Sequence, residues 1–115
     1  MSQQDRPILT LTATLSGNVA VNRFVTPAGA QAGAGANTLG VARTAGASGD
    51  KIAVDVLGTA IVEAGAAVSA GDTLKADADG KAITWATSGA KVGLALQAAG
   101  AAGARIEVLL IPNVA

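Results

Sequence analysis

The sequence predicts an all-β fold, an antiparallel β-sandwich or barrel of about nine short strands, from its glycine spacing and its period-two alternation. Alanine is abundant and is the best intrinsic helix former, but the 15 glycines and 3 prolines leave no stretch free of both longer than nine residues. Helices of globular proteins usually need about ten or more. The alternation is explicit. Leu9, Leu11, Ala13 and Leu15 interleave with Thr10, Thr12 and Thr14, and Ile52, Val54 and Val56 interleave with Lys51, Ala53 and Asp55. Ile106, Val108 and Leu110 alternate in the same way with Arg105, Glu107 and Leu109. Each pattern implies one buried and one wetter face. Val19–Val25, Thr38–Arg43, Thr59–Glu63, Thr73–Ala76, Ala82–Ala86 and Val92–Leu96 complete the strand set.

The order of elements also repeats. Gly40 to Val56 resembles Gly93 to Leu109, with one extra residue in the second copy, and each reads strand, Gly/Ala turn, then a strand opened by a basic residue. Ser16-Gly17-Asn18 and Ala70-Gly71-Asp72 stand upstream of these copies at a similar offset. The domain is therefore open to a reading as two related halves. The alternative is that Gly/Ala-rich strand sequences resemble one another by composition alone. Residues 28–37, nearly all Ala and Gly, are expected to form a long exposed loop. Residues 1–7 read as a polar N-terminal arm closed by Pro7, and residues 8–115 as a single β domain, since a chain of 115 residues fits one core.

Composition removes several functional classes. The 8 Lys+Arg balance 8 Asp+Glu, and there is one Trp and one Phe, so neither phosphate steering nor base stacking has its residues and nucleic acid is not an expected partner. With no Cys and no His, disulfides, thiol catalysis, thiolate metal sites and neutral-pH proton transfer by imidazole are absent. No run approaches the ~18 apolar residues of a membrane helix, and the first residues lack a signal-peptide pattern. The chain is therefore read as soluble, cytosolically made and without a membrane partner. Mean hydropathy is +0.47 and only 14% of residues are charged, against about 25% in ordinary soluble domains. Some apolar surface is expected to meet a partner, with a homo-oligomer as the expected state.

The candidate chemical sites each have a plainer reading. Asp77-Ala78-Asp79-Gly80 opens like a calcium loop but has neither the third acidic or Asn ligand nor the closing Glu, so it is expected to be a hairpin turn in which Gly80 supplies a positive φ. Asp50, Asp55 and Glu63 are expected as strand-edge charges rather than a carboxylate pair. Gly33-Ala34-Gly35 lacks the third glycine of a dinucleotide fingerprint, and Ser48 and Ser88 sit beside glycines as turn residues with no imidazole base. Trp85 and Phe24 are core filler or, alternatively, interface anchors. No catalytic residue, metal ligand or cofactor is expected. The arm residues Ser2, Gln3, Gln4, Asp5, Arg6 and Pro7 are the expected contact residues toward another subunit or a binding partner, because their polar groups suit pairing with another chain's edge.

Two family resemblances bear on these residues. Val62 to Leu74 is similar to the hairpin of lipoyl and biotinyl carrier domains, which implies a modified lysine at Lys81; the departure is that Gly80-Lys81-Ala82 lacks the Met or Asp that flanks the carrier lysine. The wider pattern resembles a family of small capsid decoration, or cement, proteins of tailed bacteriophages. The matching features run in order: Leu39-Gly40-Val41-Ala42, Val56-Leu57-Gly58-Thr59-Ala60, Glu63 to Leu74, Ala78-Asp79-Gly80-Lys81-Ala82, Val92-Gly93-Leu94-Ala95 and Arg105 to Leu109, covering roughly residues 16–111. This resemblance implies a β-rich virion protein without catalytic residues that binds the major capsid protein on the outer surface of the phage head and stabilises the expanded shell.

Overall fold

Eight strands are ordered along the chain as β1 (Pro7–Thr14), β2 (Phe24–Val25), β3 (Gly40–Ala42), β4 (Lys51–Glu63), β5 (Thr73–Ala76), β6 (Ala82–Thr84), β7 (Gly93–Ala95) and β8 (Arg105–Leu110). The structure, a computed structural model, describes residues 6–111, and these contain no helix. All ladders are antiparallel and form one sheet in the order β2-β3-β4-β8-β7-β5-β6, with β1 attached to β4 off this path. The far end curls back: Ala64, just past β4, bridges Ala82 in β6, and the Gly65 N–H donates to the Ala82 carbonyl at 2.8 Å. The Phe24 N–H reaches the Gly80 carbonyl, also at 2.8 Å. The result is a nearly closed barrel.

The count falls from nine to eight because the expected strands over 51–56 and 59–63 are one. β4 runs for 13 residues through Gly58, where φ is +96° and a Cβ would collide with the Arg6 carbonyl and meet the Ile8 nitrogen at 2.7 Å. Only glycine holds that backbone without strain. The β1–β4 register slips on either side of Leu9, from Pro7↔Gly58 through Leu9↔Leu57 to Thr10↔Asp55. Ile8 and Val56 are left without partners, as at a β-bulge. The expected Val19–Val25 strand shrinks to β2, with Val19 held by a separate bridge to Gly46. Residues 28–37 are also not an exposed loop throughout. Gly29 and Ala32 are buried, and the Gln31 Oε1 accepts the Ala20 N–H at 3.0 Å.

The two halves carry the same hydrogen-bond pattern. β1 pairs with the first part of β4 as the second part of β4 pairs with β8: Thr14↔Lys51 matches Glu63↔Arg105, and Ala13↔Ile52 matches Val62↔Ile106. Val25↔Gly40 corresponds to Leu74↔Gly93, and the bridge Val19↔Gly46 corresponds to Val68↔Ala99. Loop bonds match as well. The Leu39 N–H donates to Val25 and the Val92 N–H to Leu74 at 2.7 and 2.9 Å, while the N–H groups of Asn22 and Gly71 donate to Ala42 and Ala95 at 3.0 and 2.7 Å. Asn22 has a φ of +61° where its counterpart Gly71 has +91°, a conformation that asparagine tolerates better than most residues. Gly40 and Gly93 are required for one shared reason. Each backs onto the neighbouring strand, where a Cβ would strike the Asp55 carbonyl or meet the Leu109 carbonyl at 2.8 Å.

There are two apolar clusters. The smaller, around Val25, Val54, Ile52 and Leu15, is drawn from the first half alone; the larger, around Phe24, Leu74, Val62, Val108 and Ile106, is drawn mainly from the second half and also takes in Phe24, Ala32 and Val41 from the first. Phe24 is fully buried and belongs to this core. Gly58→Ala is expected to lower unfolding free energy by about 2–4 kcal/mol in chemical denaturation, through the left-handed φ and the contact with β1. Gly17→Ala, where nothing lies within 4 Å of the added Cβ, is expected to stay within about 0.5 kcal/mol of wild type.

Candidate interaction surface

β1 departs from the pattern its sequence predicts. The alternation is that of a half-buried strand, and Ala13 and Leu15 are indeed 9% and 2% exposed, but Leu9 and Leu11 on the same face are each 41% exposed and Ile8 is 83% exposed. The burial therefore stops partway along the strand. Across β4, Gly58 pairs with both Pro7 and Leu110, and Thr59 pairs with Leu109 while bonding to Arg6. Leu109 and Ile111 are 39% and 37% exposed. Large apolar side chains thus collect around the start of β1 and the end of β8, with the side-chain-free Gly58 between the strands. A signal for this was present in the sequence, since the adjacent apolar pairs Ile8-Leu9 and Val56-Leu57 break strict alternation where the bulges fall.

Ser2, Gln3, Gln4 and Asp5 lie outside the described residues. Arg6 and Pro7 are part of the ladder rather than beyond it. Arg6 exchanges two backbone bonds with Thr59, both 3.1 Å, and its N–H also reaches Thr59 Oγ1 at 3.0 Å. Pro7 does not stop the strand, because it is the first residue of β1, a position where its missing N–H is tolerated.

The charged residues serve the fold. Asp55 is not a strand-edge charge: it is 1% exposed, accepts the Thr10 hydroxyl at 3.0 Å and pairs with Arg43 at 3.6 Å. Glu63 binds Arg23 through Oε1 at 3.3 Å and Lys81 through Oε2 at 3.4 Å, and Arg23 also donates to the Asp79 carbonyl at 3.0 Å. This cluster fastens β2, β4 and the β5–β6 turn together. Burial alone would raise the Glu63 pKa, but the charge of Arg23 and the hydrogen bonds from Lys81 and Arg23 outweigh it and hold it below its ordinary value. Lys81 is engaged here, not presented on a turn tip as a carrier lysine is.

Asp77 Oδ1 accepts the backbone N–H groups of Asp79 and Lys81 at 2.8 and 2.9 Å, and Gly80 has a φ of +75°. That is the expected hairpin turn. Trp85 is half-buried, with its Nε1 donating to Gly89 at 3.0 Å and Lys91 Nζ 4.5 Å from its ring centroid. Among the described residues no cavity opens and no three Asp or Glu side chains converge as for a metal.

The exposed apolar side chains of β1 and β8 are surface of the kind that marks contact sites in soluble proteins. The chain matches the family model described as "Phage cement protein" over residues 2–110, and it belongs to that family, whose members are structural proteins of the phage head. Its fold is also that of a solved structure, "the crystal structure of head fiber gp8.5 N base in bacteriophage phi29". The TM-score is 0.72 at 22% identity, over 90% of this chain and 93% of that one. No curated protein matches.

The Glu63 cluster makes stability depend on pH. Because the folded-state pKa is depressed, its contribution is present above the ordinary carboxylate value of 4.5 and is lost as pH falls through the lower folded value. Glu63→Gln is expected to cost about 1–2 kcal/mol at neutral pH. Its melting temperature should then fall less than that of wild type between about pH 6 and about pH 3, as followed by circular dichroism.

Proposed function

We propose that this chain is a non-enzymatic decoration protein that binds the major capsid protein on the outer surface of the phage head and stabilises the expanded shell. Family membership over residues 2–110 carries this reading. The exposed apolar residues of β1 and β8 support it, since a cement contact needs apolar surface and backbone edges rather than a cleft. Balanced charge removes long-range repulsion between copies crowded on a shell. Copies associate there as a homo-oligomer, a trimer or alternatively a dimer, and the association supplies apolar burial that a core rich in Ala and Val provides sparingly. The arm from Ser2 to Pro7 contributes to the contact.

Purified chain mixed with expanded, undecorated shells is expected to bind at a fixed number of copies per shell and to raise the temperature at which the shells open. Shells that neither take up the chain nor gain heat resistance would contradict the proposal. Deleting residues 2–5, which keeps the Arg6–Thr59 bonds, is expected to leave the melting temperature of the free domain nearly unchanged. In a titration beside full-length protein it should weaken shell binding by about 1–3 kcal/mol, the scale of a few interfacial hydrogen bonds. Equal decoration by both forms would remove the arm from the contact.

A further inference from the structure

β1 has an open backbone edge. Among the described residues it pairs with β4 alone, and no backbone group of residues 8–14 bonds outside that ladder. The strand carries no charge, Ile8 is 83% exposed, and Thr10, Thr12 and Thr14 are exposed as well. Soluble proteins normally blunt such an edge with lysines, prolines or a covering segment. Here a proline and a bulge protect one end and Gly29 lies against the Thr14 carbonyl at the other, while among the described residues no backbone bond from another segment reaches the strand between them.

The internal repeat indicates what covers it. In the second half the strand that corresponds to β1 is the 59–63 stretch of β4, and that stretch is not left open. Thr59 bonds to Arg6, and the Glu63 N–H donates to the Asn22 carbonyl at 3.0 Å. By the same repeat Glu63 corresponds to Thr14 and Asn22 to Gly71. Gly71 sits in the exposed turn from Ser69 to Gly71, and its carbonyl accepts no backbone bond among the described residues. Gly29 lies against the Thr14 carbonyl, but among the described residues no backbone bond from outside the β1–β4 ladder reaches Thr14 or the Gly71 carbonyl, and each is the counterpart of a partner in a bond the chain already makes internally.

We infer that β1 is an inter-subunit surface, on which a second copy of this chain seats its Ser69–Asp72 turn and repeats between chains the Asn22–Glu63 contact that joins the halves within one. Different surfaces meet in such a contact, so it is heterologous and closes into a ring where the rotation allows. The inference rests on the homo-oligomer of the proposed function and is independent of which capsid surface is bound.

Native mass spectrometry and sedimentation velocity of the full chain test it. Wild type is expected at a multiple of 11.0 kDa. Ile8→Lys/Thr12→Lys on β1 and, separately, Ala70→Arg on the turn are each expected to give monomers with unchanged far-UV circular dichroism. Each variant keeps one intact surface, so the two mixed at high concentration are expected to form a two-chain complex. Wild type that is monomeric at every concentration, either variant assembling as wild type does, or a mixture that stays monomeric would overturn the inference. A monomeric wild type that still decorates expanded shells would overturn the β1 contact and leave capsid binding standing, whereas an oligomer dissociated by these variants that fails to bind shells would do the reverse.

Discussion

Between Lys51 and Glu63 the backbone of β4 serves β1, β3 and β8 in turn, and the hand-over happens at Gly58. A strand that ended there would leave two small sheets, each with too little apolar area to hold itself together. A strand that continued with a side chain at Gly58 would push β1 away at Arg6 and Ile8. The left-handed φ of this one residue lets a single strand close the first half and open the second. The apolar clusters around Val54 and around Val62 consequently share a backbone, and Glu63 at its end carries the ion pairs that bind the N-terminal Arg23 to the C-terminal Lys81.

Much of this was legible in the residues because turns are punctuated locally. β5 falls at Thr73–Ala76, the expected bounds, and the Asp77–Gly80 turn follows from a side chain that bonds two backbone N–H groups of its own loop. The repeat was visible at Gly40 and Gly93, which answer the same close approach of a neighbouring strand, but not upstream of them, where Gly71 is the counterpart of Asn22 rather than of Gly17. Continuity through Gly58 was not legible, because a glycine between two alternating runs reads equally as a turn or as a bulge. The burial of Asp55 depends on Thr10 and Arg43, which are distant in sequence. Local reading also failed for residues 28–37: Ala and Gly fit a flexible linker, but Ala32 has a place in the core beside Phe24.

The surface was the hardest part to read. Period-two alternation says that one face of β1 is apolar; it does not say how much of that face the rest of the chain covers. The inward row is buried at Ala13 and Leu15 and exposed at Leu9 and Leu11, because the cluster beneath it ends before the strand does. High mean hydropathy with few charges had pointed to partner contact without locating it. The structure gives that apolar excess an address on β1 and at Leu109 and Ile111. On the proposed reading, the same feature that makes the isolated strand a liability is what a shell-bound assembly uses.

Cryo-electron microscopy of expanded shells decorated with the full chain tests the central claim most directly, because it reports the location and the contacts of the domain together. The account predicts barrel density on the outer surface of the head, touching the major capsid protein, with β1 buried against a neighbouring copy. Density confined to the inside of the shell, or isolated barrels whose β1 edge faces solvent, would contradict it.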